Sequence, residues 1–102
     1  MSALLNRTER YDNRIRMHLH FYGCVQAVGF RYRATYAARL YGATGWVRNE
    51  YDGSVTMEIQ GTQADIDAVV ATLRNDDYIR IDRMESKAIP LIDDEHGFRV
   101  AY

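Results

Sequence analysis

The chain has 102 residues, enough for one domain and too few for two. Its 47% hydrophobic and 26% charged residues are those of an ordinary globular protein, and a net charge of -1 excludes a broad electrostatic footprint for nucleic acid. One cysteine, Cys24, excludes an intrachain disulfide and fits a reducing compartment, and no apolar run is long enough to span a membrane. Residues 1–14 mix both charge signs without periodicity and read as a flexible N-terminal tail. The Leu4-Leu5 pair within them is too short for a secretory signal, so residues 15–102 are expected to form a cytoplasmic domain. From Ile15 to Phe21 the residues alternate, Met17, Leu19 and Phe21 on one face and Arg16, His18 and His20 on the other, which predicts a half-buried strand with the second face in water. A glycine-rich loop follows. Phe30, Ala34, Ala37 and Tyr41 then recur at helical spacing, and Gly42 supplies a C-terminal stop.

A short strand is predicted over Gly45 to Asn49. The Asp52-Gly53 pair turns it into a second strand in which Val55, Met57 and Ile59 alternate with Thr56, Glu58 and Gln60. Gly61 is expected to break that strand, and Thr62, with Asp65 three residues on, to cap a second helix with the apolar stripe Ile66, Val69, Val70 and Leu73. Asn75-Asp76-Asp77 ends it. A longer strand is predicted from Tyr78 to about Ala88, with a slip in its alternation near Asp82 that marks a bulge. After a loop containing Pro90, Phe98 and Val100 predict a short last strand. The order is that of an α+β, ferredoxin-like βαββαβ sandwich: an antiparallel sheet with two helices on one face, plus a short extra C-terminal strand.

The loop between the first strand and first helix reads Gly23-Cys24-Val25-Gln26-Ala27-Val28-Gly29-Phe30-Arg31. It lies at a helix N-terminus, where unpaired N–H groups and the helix dipole attract anions. Glycines at 23 and 29 allow the backbone to curl into an anion nest, and Arg31 offers a guanidinium able to grip two phosphate oxygens. The residues alone leave two readings open: a phosphate cradle, or a plain turn with a surface arginine. A nucleophilic thiolate is disfavoured, because six residues separate Cys24 from Arg31 where a cysteine phosphatase loop has five, and no histidine directly precedes the cysteine. Cys24 at a strand end is expected to be a small hydrophobe.

The same stretch resembles the acylphosphatase signature G-x-V-Q-G-V-G-F-R. Gly45-Trp46-Val47-Arg48-Asn49 followed by Asp52-Gly53-Ser54-Val55 is similar to that family's second block, and Phe98-Arg99-Val100 with Tyr102 is a fainter echo of its C-terminus. The resemblance runs from about Arg16 to Tyr102. It implies hydrolysis of the carboxyl–phosphate bond of small acyl phosphates to carboxylate and inorganic phosphate, without metal, cofactor or covalent intermediate, and the chain is expected to act as a monomer. It further implies that residues 23–31 form the phosphate-binding loop, that Arg31 binds the phosphoryl group and that Asn49 orients the attacking water. One position departs from the pattern: Ala27 stands where the family has glycine, so a requirement for positive φ there would cost on the order of 1–2 kcal/mol. That departure keeps a second reading in view, a non-catalytic phosphate- or anion-binding domain. His18 and His20 lack a third ligand nearby and read as solvated strand residues rather than a metal pair. Arg48 is expected to serve the surface and Trp46 sheet-face packing. An RNA-binding sheet would need stacking aromatics on two central strands and a basic groove, where the sequence places His18, His20, Thr56 and Glu58, so neither nucleic acid nor membrane is an expected partner.

Overall fold

The alternation along the first strand is realised as a sheet with one dry face. The computed structural model describes residues 13–102; the expected tail lies outside them apart from Asn13 and Arg14, and Arg14 already opens a strand. The elements are β1 (Arg14–Cys24), α1 (Phe30–Leu40), β2 (Thr44–Asn49), β3 (Val55–Thr62), α2 (Gln63–Arg74), β4 (Arg80–Ile89) and β5 (Phe98–Val100). Strand order is β4-β1-β3-β2-β5. The first four strands pair antiparallel, as the βαββαβ order requires, whereas β5 runs parallel to β2 and makes the sheet mixed. Leu19, Phe21, Val47, Val55, Met57 and Ile59 of the sheet are buried against Phe30, Ala34 and Ala37 of α1 and Ile66, Val69 and Leu73 of α2. Burying each large member of this set stabilises the fold by about 1.5–3 kcal/mol. The predicted N-cap is present, with Thr62 Oγ1 accepting from the Asp65 amide at 3.1 Å.

Two expectations from the sequence are corrected. Gly61 does not break β3: it pairs with Ile15 in the ladder, and the strand ends one residue later, at the Thr62 cap. Arg16 does not face water. The segment between β4 and β5 crosses that end of the sheet on its way to the far edge. Gln60 donates to the Ile92 carbonyl and accepts from the Ile92 amide, both at 2.9 Å, while Arg16 meets Glu95 at 2.6 Å. Arg16 is left 2% exposed.

The predicted slip near Asp82 is a bulge. Tyr22 pairs with Arg83 and Gly23 with Ile81, so Asp82 has no opposite residue. Gly23 makes this possible, since at φ 136° a Cβ would stand 2.2 Å from the Arg80 carbonyl oxygen.

Candidate active site

The loop after β1 is short because both of its ends are nailed to the core. Val25 is fully buried, Phe30 is 2% exposed, and the Phe30 ring meets Phe21 with centroids 5.0 Å apart. Residues 26–29 must turn within that span. They do so through positive φ at Ala27 (61°) and Gly29 (81°), the latter serving as the N-cap of α1. Gly29 supplies no side-chain cap and the first turn of α1 holds no acidic residue. The backbone N–H groups of residues 26–29 donate no hydrogen bond within the described residues, so they and the helix N-terminus form a set of free donors.

Asn49 comes from the other side. It is the last residue of β2, paired with Val55, and shares its sheet face with the buried Val47. The hairpin beyond it closes through Glu50 N–H to Ser54 O (2.9 Å) and Gly53 N–H to Glu50 O (3.2 Å), with Asp52 accepting from the Ser54 amide at 2.9 Å. Gln26 ties hairpin and loop together: its Nε2 donates to Glu50 O at 2.7 Å and to Ser54 O at 2.8 Å. The glutamine of the loop motif therefore fixes where Asn49 stands relative to the loop amides.

Two neighbouring depressions meet at these residues. A cavity of about 190 Å³ is lined by Val25, Ala27, Gly29, Phe30, Arg31, Tyr32 and Asn49. A groove of about 410 Å³ is bounded by Arg31, Arg48, Asn49, Glu50, Tyr51, Ala101 and Tyr102. Arg31 and Asn49 belong to both. Among the described residues Arg31 pairs with no carboxylate; its guanidinium lies 5.6 Å from the centre of the Tyr102 ring. The Asn49 amide likewise has no hydrogen-bond partner among them. Arg31 and Asn49, whose side-chain polar groups have no hydrogen-bond or ion-pair partner among the described residues, thus line one hollow with Ala27 and Gly29, whose N–H groups donate no hydrogen bond there.

The acylphosphatase family model matches residues 17–100. An acylphosphatase of Clostridium acetobutylicum is 36% identical over 78% of this chain and 89% of its own, and one of Thermococcus kodakarensis is 40% identical over 72% and 82%. The solved structure of an acylphosphatase from Coxiella burnetii superposes with a TM-score of 0.80 at 25% identity, covering 92% of this chain and 99% of that one. The chain belongs to the acylphosphatase family.

The structure divides the nine residues of the acylphosphatase signature by task. Gly23 and Cys24 are the end of β1, and Cys24 pairs with Arg80 and lines neither cavity. Cys24 is exposed rather than the packed small hydrophobe expected of a strand end. Val28 packs against the core and Gln26 turns to the hairpin. Val25, Ala27, Gly29, Phe30 and Arg31 line the smaller cavity. Tyr32, Tyr51, Ala101 and Tyr102 also line the depressions, although the sequence reading gave them no role there. Tyr51 sits in a turn, and Ala101 and Tyr102 follow the last strand, so no periodicity pointed to them. Only the weak C-terminal motif around Tyr102 carried a signal.

Several charges on the open sheet face are matched by partners. Arg48 lies on the open sheet face beside Trp46, 5.0 Å from its ring centre, yet its Nε reaches Glu50 at 3.0 Å at the rim of the groove. The Thr56 hydroxyl donates to the same Glu50 carboxylate, and with Arg48 it holds that carboxyl below its ordinary value. Burial pushes the Glu58 carboxyl up, but His18 (3.0 Å) and Arg16 (3.2 Å) outweigh it and the net shift is downward. His20 Nε2 lies 2.6 Å from Ser54 Oγ, and the Tyr22 hydroxyl 3.1 Å from its Nδ1. Both strand histidines are thus part of the sheet-face hydrogen bonding.

Proposed function

We propose that the protein hydrolyses the carboxyl–phosphate bond of acyl phosphates. The observation that carries this reading is that Arg31 and Asn49, both without a side-chain hydrogen-bond or ion-pair partner among the described residues, line one cavity together with Ala27 and Gly29, whose N–H groups are unengaged. Arg31 and those N–H groups take the phosphoryl oxygens, neutralising charge as the bridging bond lengthens. The Asn49 side-chain carbonyl holds a water in line with the leaving carboxylate; an amide can do this without repelling the anion, as a carboxylate would. The water oxygen forms the new P–O bond while the bridging P–O bond breaks. The electron pair leaves on the carboxylate, and both water protons end on phosphate. A carboxylate is a good leaving group, so no general acid is required. Cys24, which lines neither cavity, takes no part.

The test is hydrolysis of benzoyl phosphate in ¹⁸O-labelled water with a chelator present. One labelled oxygen per phosphate and none in benzoate is expected. Label in benzoate, or no hydrolysis, would overturn the reading. One observation favours a second reading, an anion-binding domain with little turnover: Ala27 places a methyl group on the wall of the smaller cavity in a strained backbone region. Phosphate binding without hydrolysis would identify that case.

A further inference from the structure

The smaller cavity accounts for a phosphoryl group and leaves the other half of an acyl phosphate unplaced. The groove of about 410 Å³ continues from the same two side chains, Arg31 and Asn49. We infer that this groove is the acyl subsite, and that it favours neutral aryl groups over acyl groups carrying a second negative charge. The inference rests on the hydrolytic reading above.

Charge supplies the first argument. The groove has two cations, and under that reading Arg31 is committed to the phosphoryl oxygens. The other, Arg48, is compensated by Glu50 at 3.0 Å, and Glu50 is kept ionised by the Thr56 hydroxyl and by Arg48 itself. A second carboxylate or phosphate on the substrate would therefore find no uncompensated cation beyond Arg31 and would lie beside the Glu50 carboxylate. It would lose hydration without a replacement partner. Surface is the second argument. The remaining lining residues are Tyr51, Ala101 and Tyr102, and both tyrosines are almost wholly exposed in the free protein. A flat aryl group laid along them removes apolar area from water and gains ring–ring contact, which a small acyl group such as acetyl does too little to exploit.

The experiment compares kcat/KM for benzoyl, acetyl and succinyl phosphate in the parent, Tyr102→Ala and Glu50→Gln proteins, with the inhibition constant of inorganic phosphate measured in each. The parent should prefer benzoyl to succinyl phosphate by about tenfold or more, which is the preference an effect near 1.4 kcal/mol produces. Tyr102→Ala should lower the benzoyl-to-acetyl ratio about three- to tenfold, the range expected for one ring–ring contact, with phosphate inhibition unchanged. Glu50→Gln should raise succinyl relative to benzoyl phosphate. Unchanged ratios in both variants would overturn the subsite. So would a Tyr102→Ala protein in which all three substrates and phosphate weaken together, because Tyr102 would then act on Arg31 and not on the acyl group. A parent that hydrolyses all three equally would sink the subsite alone, and one that hydrolyses none would sink the hydrolytic reading with it.

Discussion

Arg16 and Arg31 lie at opposite ends of the same half-molecule, and the fold treats them in opposite ways. Arg16 is on a central strand, 2% exposed, with Glu95 at 2.6 Å, Glu58 at 3.2 Å and Gln60 at 3.3 Å around its guanidinium. Burial works against that charge, but the two carboxylates prevail and hold the guanidinium more firmly protonated than usual. Arg31 opens a helix at the sheet's other end, and the described residues offer it only the face of Tyr102. Both residues are arginines beside sheet face or loop, so residue type does not separate them. What separates them is whether the fold supplies the counter-charge. A fully compensated arginine is part of the architecture, whereas under the proposed reading the uncompensated one at the hollow takes an anion.

The strongest way to break that contrast is to neutralise Arg31. Arg31→Gln should lose turnover by more than about 10³-fold together with inhibition by phosphate, while its unfolding free energy stays within about 0.5 kcal/mol of the parent, since the residue makes no ion pair in the free protein. Substantial activity in a folded Arg31→Gln protein would end the assignment. Asn49→Ala should fall next, by roughly 10²–10³-fold in kcat as one preorganised group is lost, yet keep its phosphate inhibition constant because Arg31 and the loop amides remain. Parallel loss of binding and turnover in Asn49→Ala would show that it grips phosphate rather than holding water.

Arg16→Leu is the opposite experiment. It should destabilise by roughly 2–4 kcal/mol, because Glu58 and Glu95 lose the cation that justifies their partial burial. It should leave kcat per folded molecule unchanged. Acid probes the same network. The Glu58 and Glu50 carboxyls are depressed in the folded state, so the stability they contribute is complete above the ordinary glutamate range and is lost as pH falls through their lower folded values. Denaturant midpoints should therefore drop below about pH 4.5 in the parent. The drop should be shallower in Glu58→Gln; an identical acid profile in that variant would remove Glu58 from the explanation.

How much of this was legible before the structure follows from which interactions are local. The strand alternation, the Thr62 cap and the Asp52-Gly53 turn depend on neighbours within a few residues and appear where the sequence put them, while the bulge at Asp82 showed locally as a slip in alternation although its partner, Gly23, lies on another strand. Arg16 was misjudged because its burial depends on Glu95, 79 residues away, carried over the sheet by a segment with no periodicity of its own. Gly61 misled for a related reason. Its place in β3 is fixed by pairing with Ile15 and not by any local signal. At the site, the motif named Arg31 and Asn49. The role of Gln26 as the tie between loop and hairpin needed two backbone carbonyls whose positions only the folded turn defines.

The smallest expected effect concerns Ala27, and it sharpens the contrast by asking how well the empty hollow is built. At φ 61° an alanine side chain crowds its own backbone, a cost on the order of 1–2 kcal/mol that glycine does not bear. Glycine also widens the unfolded ensemble, which offsets about 0.4–1 kcal/mol of that relief. Ala27→Gly should therefore stabilise the protein by about 0–1.6 kcal/mol, read as a shift in the denaturant midpoint. The chemical consequence should be the more visible one. Ala27 lines the smaller cavity, so removing its methyl lets an anion settle closer to the loop N–H groups. Tighter phosphate inhibition and a kcat/KM raised by about two- to tenfold are expected, the effect of relieving crowding worth about 0.4–1.4 kcal/mol in the bound state. An unchanged stability with faster turnover would place the whole cost of Ala27 on the ligand, and the reverse would place it on the backbone. If neither quantity moves, the loop tolerates alanine at this position, and the weakened-turnover reading loses the one observation in its favour.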